Sequence, residues 1–315
     1  MKHTAVIDKL KEFNSQTVFF EPLGGNNGDN LIEMGAMEIF KNTNINLQNK
    51  VQDAATIIIN GSGDLSYHPA SKPIEETRQA KYLINFPDKP VILLPSSSTP
   101  INVDRLIPIL KNRNSQTILF ARDSISFDLL KKLEGPKVEV YLDHDMAFGL
   151  YESQWLKRLS EKVTNGPLLV VERFDAEGAT SPPMVYRTPI FLRSLIPNGL
   201  KNLIKRKTLE SIHKNTSFVT EASDEVRKAF PSLVYADIKA ADISLPQNYS
   251  FDSFAESVAT SCGVVSTRLH VCILAALLGK PFIAVQFEGG NKLKGVFDHS
   301  LKNFNHSKLW IRKRK

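Results

Sequence analysis

The stretch VVSTRLHVCILAALLGKPFIAV, residues 264–285, places two polar side chains capable of chemistry at the start of an apolar helix. The pattern predicts a buried strand, a helix ending at Gly279 and a second strand. Ser266 is predicted to cap the helix, which puts Arg268 and His270 in its first turn. Backbone amides at a helix start favour an anion, guanidinium binds carboxylate or phosphate, and imidazole transfers protons. The sequence therefore predicts an anion site with an acid–base group beside it.

Each basic candidate has a structural and a functional interpretation. A histidine in an apolar helix is commonly a core residue, although the neighbouring Arg268 favours chemistry at His270. Arg122 ends the predicted strand QTILFARD, where its guanidinium either pairs with a nearby carboxylate or clamps an anion. Lys292 and Lys294 follow the strand PFIAVQF, where they are solvated loop residues or one of them extends towards His270.

Two glycine-containing turns follow predicted strands in the first half of the chain. EPLGGNNGDN, residues 21–30, lacks the Lys-Ser/Thr of a P-loop and the full spacing of a dinucleotide-binding motif. Asp29 or Asn30 is predicted to cap the following helix, and a capping carboxylate disfavours a nucleotide phosphate there. NGSGDLSYH, residues 60–68, suits a pocket lined by backbone. The predicted acceptor-side residues of these two turns are Asn27, Asp29, Gly61 and Asp64.

Strand and helix patterns alternate along nearly the whole chain. Apolar runs such as AATIIIN and PVILLPSSS alternate with helical patterns such as DRLIPILKN and SISFDLLKKLEG. The alternation predicts an α/β fold of two Rossmann-like, doubly wound domains facing a cleft, residues 1–150 and 151–315. Such sheets bind ligands beyond the carboxyl ends of their strands, which is where the candidate residues fall.

The composition indicates a globular protein with two cores. The chain has 315 residues, of which 42% are hydrophobic, and no apolar stretch reaches the ~20 residues that span a bilayer. Cys262 and Cys272 are too few for a disulfide framework, which favours a reducing compartment. The N-terminus has no signal-peptide pattern, so a cytoplasmic location is expected.

The formal charge of +7 is concentrated in two stretches. Residues 187–214 hold seven Lys or Arg and one acid, and residues 308–315 hold five bases and no acid. The remaining body is close to neutral, which argues against a nucleic-acid binder. Peripheral contact with anionic lipid at the inner face of the plasma membrane is one interpretation of both stretches. For residues 308–315 alone, a solvated and frayed tail is the preferred interpretation.

Five segments together resemble the polysaccharide pyruvyl transferase family. They occur in the family's order over nearly the whole chain, and the last is the most specific: GGNNGDNLIEMGA, NGSGDL, ARDSISFDLL, YLDHDMAF and STRLHVCILAALLGKPFIAVQFEGGNKLKGV. Many relatives have three glycines at residues 61–63, and a Gln and a Gly-Pro where this chain reads LPSSSTP. Both differences lie in the N-terminal half, which the resemblance places on the acceptor side.

The resemblance implies a transferase that moves the pyruvyl group of phosphoenolpyruvate onto two sugar hydroxyls as a ketal, in the assembly of capsules, exopolysaccharides or cell-wall polymers. It implies a glycosyltransferase-B-like arrangement with the donor on the C-terminal domain, and a free or lipid-linked sugar acceptor. His270 and Arg268 would be catalytic. Arg122, Lys292 and Ser266 would bind the donor.

Phosphoenolpyruvate carries about three negative charges near neutral pH and requires several converging cationic and amide groups. Its reaction requires protonation of the vinyl CH2 group, a role for His270, and attack by a sugar hydroxyl on the resulting oxocarbenium-like carbon. Lys292 or Arg122 would assist the departure of phosphate. No metal or other cofactor is expected, because phosphoenolpyruvate acts as co-substrate. The candidate general bases are Asp29, Asp64 and Asp145.

Two alternatives use the same residues. A nucleotide-sugar glycosyltransferase of the same architecture would bind a diphosphate at the basic groups. A non-catalytic sugar-binding relative would keep the fold without turnover. An NAD-linked oxidoreductase is disfavoured, because the glycine fingerprint and the acidic residue ~20 positions further on are missing.

Overall fold

The computed structural model describes residues 3–22, 24–63, 65, 72–162, 166–173 and 216–313. It contains a six-stranded and a five-stranded sheet, both parallel and flanked by helices. The predicted α/β class with two Rossmann-like domains is therefore confirmed. The basic stretch 187–214 and the candidate Asp64 lie outside the described residues.

Backbone packing divides the chain into two units. Unit 1 comprises Met1–Gly25, Asp29–Ser153 and Lys294–Ser300, and unit 2 comprises Asn26–Gly28, Gln154–Leu293 and Leu301–Lys315. The longest stretches of the two units meet in sequence at Ser153 and Gln154, close to the predicted division at residue 150.

The sheet of unit 1 has the strand order β2-β1-β3-β4-β5-β6. Its strands are β1 (Thr17–Glu21), β2 (Asn46–Gln48), β3 (Thr56–Ile59), β4 (Val91–Ser96), β5 (Thr117–Ala121) and β6 (Val138–Leu142). The strands β3, β4 and β5 are fully buried, as their uninterrupted apolar runs predict. Ile57 and Ile59 belong to one core cluster and Ile58 to another, because successive side chains of a strand point to opposite faces. Burial of each such side chain stabilises the fold by about 1.5–3 kcal/mol.

The strand order of unit 1 reverses between β1 and β3. Glu21 and Ile59, the last residues of these strands, are register partners. Both glycine-containing turns therefore begin at the same point of the sheet edge. A reversal of strand order at the carboxyl ends is the usual ligand site of an open parallel sheet.

The sheet of unit 2 has the order β11-β10-β9-β7-β8. Its strands are β7 (Leu168–Val171), β8 (Ile238–Ala240), β9 (Gly263–Ser266), β10 (Phe282–Phe287) and β11 (Ser307–Arg312). The order reverses between β7 and β9, whose last residues Val171 and Ser266 are register partners. The turn after β9, which carries Arg268 and His270, therefore lies at the ligand-binding edge of this sheet.

The α-helices that the structure describes surround these sheets. They are α1 (Ala5–Lys11), α2 (Asn27–Asn42), α3 (Arg78–Asn85), α4 (Pro100–Lys111), α5 (Ser124–Leu130), α6 (Gln154–Ser160), α7 (Ser217–Ala229), α8 (Phe251–Ala259), α9 (Leu269–Leu277) and α10 (Lys292–His299). In the described part of the chain, no helix combines the length and apolarity needed to cross a membrane.

The strand β11 corrects the expectation of a frayed C-terminal tail. Each of its residues has a register partner on β10. Arg312 Nε lies 2.8 Å from Glu221 Oε2, and its guanidinium packs on the Phe218 ring. Lys308 Nζ lies 3.2 Å from Glu225 Oε2. Residues 307–312 form a strand because they complete a sheet edge, and two of the bases, Lys308 and Arg312, have acidic partners on α7.

Candidate functional site

The turn after β9 is closed by Ser266. Its hydroxyl accepts a hydrogen bond from Arg268 N at 2.9 Å and donates one to Arg268 O at 3.1 Å. Arg268 itself occupies the N-cap position with extended backbone, and α9 begins at Leu269. The prediction that Ser266 caps the helix is therefore wrong, because its hydroxyl bonds to the backbone of Arg268, which is itself the N-cap residue. His270 is in the first turn of the helix, as predicted.

The imidazole of His270 packs directly on the backbone of Gly28. A Cβ atom added at Gly28 would lie 2.8 Å from His270 Cγ and closer still to Nδ1. Only glycine leaves room for the ring in this position. The packing joins two motifs more than 200 residues apart in sequence, both of which were predicted to carry function.

Asn27 anchors the segment that carries Gly28. Its Nδ2 donates to Ile243 O at 3.1 Å and to Tyr249 O at 2.9 Å, and its backbone N–H donates to Ser244 O at 2.9 Å. Asn27 is completely buried, so it holds the surface under the imidazole rather than facing solvent.

Arg268 is held by a carboxylate that the sequence analysis did not single out. Arg268 Nε and Nη2 lie 3.1 and 2.5 Å from the two carboxylate oxygens of Asp242. Both side chains are buried. The pair fixes the guanidinium of the residue that precedes α9, two positions before His270 in sequence. The available sequence signal was the position of Asp242, two residues after the short strand β8.

Lys292 begins α10 after a tight turn. Gln286 Oε1 accepts a hydrogen bond from Leu293 N at 3.0 Å, and a Cβ atom at Gly290 would collide with the Gln286 amide. Gln286 is a second residue that the sequence analysis missed. Lys294 forms an ion pair with Asp298, one helical turn further along. Of the two lysines, Lys294 is therefore the one with a surface role.

Arg122 of unit 1 is completely buried and follows β5. Its Nη1 lies 2.6 Å from Asp145 Oδ2, and its Nε donates to Ser97 Oγ at 2.9 Å. The structural interpretation, a salt bridge to a carboxylate, therefore describes one side of the guanidinium. Among the described residues, Arg122 Nη2 has no hydrogen-bond partner, so one donor is available for the predicted anion.

The two glycine-containing turns differ from the prediction in their capping. The helix α2 begins at Asn27, and Asn26 Oδ1 accepts from Gly28 N at 2.7 Å. The prediction that Asp29 or Asn30 caps this helix is therefore wrong. The Asp29 carboxylate instead folds over Gly25, where a Cβ atom would lie 3.2 Å from Asp29 Cγ.

Gly61 makes a close backbone approach. A Cβ atom at this position would collide with the carbonyl of Pro95, which ends the apolar part of β4. Its predicted ligand role stays a prediction, as does that of Asp64.

Comparison with known protein families identifies the family of this chain. A family model described as polysaccharide pyruvyl transferase matches residues 26–286. The chain belongs to the polysaccharide pyruvyl transferase family. The matching range includes Arg122, Arg268 and His270 and ends before Lys292. The functional roles of all four residues stay predictions from the sequence resemblance.

A search among curated proteins found no match. Among solved structures, the chain is similar to the crystal structure of an uncharacterized protein from Klebsiella pneumoniae, with a TM-score of 0.60 and 19% sequence identity. The similarity covers 97% of this chain and 96% of the other, and it shows that the two share a fold.

Proposed function

We propose that the protein transfers the pyruvyl group of phosphoenolpyruvate to two hydroxyls of a sugar acceptor as a ketal, with release of phosphate. The observation that carries the proposal is the His270 imidazole held on Gly28 at the start of α9, beside Arg268. A proton-transfer group at a helix start suits a donor that has to be bound as an anion and then protonated. Membership of the family supports pyruvyl transfer to a polysaccharide.

The mechanism assigns the proton to His270. As an imidazolium, His270 gives its proton to the CH2 carbon of the donor, which takes it up through the electrons of the C=C bond. A sugar hydroxyl oxygen bonds to the resulting cationic carbon, and its proton returns to the imidazole. Phosphate leaves with the electron pair of its C–O bond, and the oxygen of the second hydroxyl bonds to the same carbon to close the ketal. A general base passes the proton of this second hydroxyl to the departing phosphate, which leaves as HPO4²⁻. The balance is one diol and one phosphoenolpyruvate against one ketal and one phosphate.

The donor contacts in unit 2 would come from the turn after β9 and from the start of α10. Ser266 shapes the turn, Arg268 offers a fixed guanidinium, and Lys292 offers an ammonium group to the departing phosphate. The donor contact of Arg122 stays a prediction from the resemblance. Asp145 already binds Arg122 and caps the 3-10 helix that follows it, which favours Asp29 and Asp64 as general bases.

Release of phosphate tests the proposal directly. We expect the protein to release phosphate from phosphoenolpyruvate only when a suitable member of a panel of free and lipid-linked hexosides is present. His270→Gln should lower the rate at least ~10²-fold, the usual contribution of a general acid, without loss of thermal stability. His306→Asn is the matched control, because His306 is exposed and has a φ of 60° that asparagine tolerates.

Two other outcomes would replace the proposal. Release of a nucleoside diphosphate from a nucleotide sugar, with no phosphate from phosphoenolpyruvate, would identify a glycosyltransferase. Stabilisation by phosphoenolpyruvate or hexoside without turnover across the panel would identify a sugar-binding relative.

Peripheral membrane contact stays a prediction with its own test. The stretch 187–214 lies outside the described residues, and Lys308 and Arg312 are ion-paired. We expect co-sedimentation with vesicles that contain an anionic phospholipid and none with neutral vesicles. Equal sedimentation with both would contradict an electrostatic contact.

A further inference from the structure

The side-chain amide of Gln286 connects the end of β10 with the start of α10. Gln286 is the fifth residue of β10 and is half-buried. Its Oε1 accepts a hydrogen bond from Leu293 N at 3.0 Å, and its Nε2 donates to Phe287 O at 3.2 Å. N–H groups in the first turn of a helix have no acceptor within the helix, and Leu293 is the second residue of α10. The amide therefore supplies an acceptor to the turn that contains Lys292.

Two glycines let the chain fold closely over this amide. Phe287 O accepts a hydrogen bond from Gly290 N at 3.0 Å, which closes a turn over residues 287–290. Gly289, the third residue of that turn, has a φ of 82°, a backbone conformation that favours glycine. A Cβ atom added at Gly290 would lie 3.0 Å from Gln286 Cδ and closer still to Nε2. The segment from β10 to α10 is therefore packed on the amide, and a side chain at Gly290 would displace it.

This segment lies at the ligand-binding edge of unit 2. The strand β10 pairs with β9, and Ala284 is the register partner of Ser266, the last residue of β9. Gln286 lies two residues beyond that point. The turns that carry His270 and Lys292 therefore follow neighbouring strands at the same edge of one sheet. A lysine side chain is long and flexible, so the position of its ammonium group depends on how firmly its backbone is held.

The chemistry of Gln286 suits a site for an anion. FIAVQF, the sequence of β10, has one polar residue, and it is the one that binds the start of α10. The residues that usually accept hydrogen bonds at helix starts include aspartate, whose negative charge would repel an anion beside Lys292. An amide accepts the same hydrogen bond without a charge. Gln286 can therefore hold the helix start without weakening an anion site there.

We infer that Gln286 is a positioning residue for Lys292. It binds the first turn of α10 to the end of β10, and this contact fixes the backbone from which the lysine side chain extends. That the fixed lysine acts on phosphoenolpyruvate rests on the proposed function. That Gln286 fixes the helix start does not rest on it.

Gln286→Met tests the inference, because methionine has a similar length and cannot make either hydrogen bond. We expect the amide of Leu293 to exchange its hydrogen about three- to tenfold faster, as measured by NMR on the folded protein. The affinity for phosphoenolpyruvate, measured by titration calorimetry, should fall by a similar factor. Gly290→Ala should have the same two effects, because it displaces the amide from the other side. Gln116→Met is the matched control at the amino end of β5, where the amide contacts Glu139, and it should change neither quantity.

A double-mutant cycle shows whether Gln286 acts through Lys292. In Lys292→Ala, the additional change Gln286→Met should not lower the affinity for phosphoenolpyruvate further, because the side chain that Gln286 positions is absent. A purely structural role would lower the affinity equally in both backgrounds. That result would overturn the inference and leave the proposed function standing.

The remaining outcomes also separate the inference from the proposed function. Faster exchange at Leu293 together with a coupled loss of affinity supports the inference even if no hexoside ever leads to release of phosphate. Unchanged exchange in Gln286→Met would overturn it even in an active enzyme. If the unchanged protein does not bind phosphoenolpyruvate, the proposed function fails and the exchange rate alone decides the inference.

Discussion

The contact between Gly28 and His270 can be broken by a single methyl group. In Gly28→Ala, the new Cβ atom would lie 2.8 Å from His270 Cγ, whereas ordinary contact begins at 3.4 Å. The ring rather than the backbone has to move, because the hydrogen bonds of Asn27 anchor the segment that carries Gly28. The closer Nδ1 requires a displacement of about 1 Å, and a catalytic group misplaced by that distance can lose ~10²-fold in rate.

The same substitution should affect stability much less than activity. Insertion of a methyl group into a packed site costs about 1–3 kcal/mol. Alanine is favoured over glycine within a helix by about 1 kcal/mol, and Gly28 is the second residue of α2. The net loss of about 0–2 kcal/mol should lower the melting temperature by only a few degrees, since each kcal/mol corresponds to ~2–4 °C at this domain size.

Two measurements are needed, one of chemistry and one of position. The rate of phosphate release from phosphoenolpyruvate reports the first, and the NMR shift of His270 Cε1 reports the second. Gly135→Ala is the control, because a Cβ atom at Gly135 meets nothing within 4 Å. An unchanged His270 shift in Gly28→Ala would refute the contact. A displaced ring with full activity would refute the role of His270 as the acid.

Three further predictions concern titratable groups. Burial raises the pKa of Glu172 to about 7, so the folded state binds the proton of this carboxyl group more tightly than the unfolded state. The free energy of unfolding should therefore fall by about 1–2 kcal/mol as the pH rises from 4.5 to 7. This fall should be absent from Glu172→Gln. Burial lowers the pKa of His144 to about 4, so stability should instead be lost as the pH falls from 6.5 towards 4, and His144→Gln should remove this loss in acid melting curves. Burial raises the pKa of the Cys272 thiol to about 12. Iodoacetamide at pH 8 should therefore not modify Cys272 until the chain is unfolded, as measured by mass spectrometry. Rapid labelling of the folded protein would contradict the burial of this thiol.

The buried strands could be predicted from the sequence, because an uninterrupted apolar run is stable in a sheet only where both faces of the sheet are covered. AATIIIN and QTILFARD become β3 and β5, which are buried on both faces. The position of His270 followed from the same pattern, since the residues after a buried parallel strand lie at the ligand-binding edge. The contact with Gly28 could not be predicted, because helical spacing carries no information about which distant backbone lies under a side chain.

Errors arose where several polar groups compete for the same backbone donors. Asn26, Asp29 and Asn30 are all suitable caps, and the local path of the chain decides in favour of Asn26. Ser266 is a good cap by type, but its hydroxyl bonds within its own turn. The C-terminal tail was misread because its charge pattern resembles a solvated segment, whereas partners on α7 neutralise Lys308 and Arg312.

Substitutions in the ion pair of Arg268 and Asp242 can distinguish a role of the guanidinium in binding the donor from a role that depends on its fixed position. Both side chains are buried, so Asp242→Ala would leave an uncompensated guanidinium and cost about 3–5 kcal/mol, or roughly 10 °C in melting temperature. Arg268→Lys keeps the charge but cannot form the two-point contact with Asp242, so the cation should remain near the donor in an unfixed position. Because interactions made mainly in the transition state affect kcat, we expect Arg268→Lys to lower kcat about tenfold or more with little change in KM for phosphoenolpyruvate. A raised KM with unchanged kcat would show instead that Arg268 contributes equally to binding of the ground state and the transition state, and that its fixed geometry is not what the reaction uses.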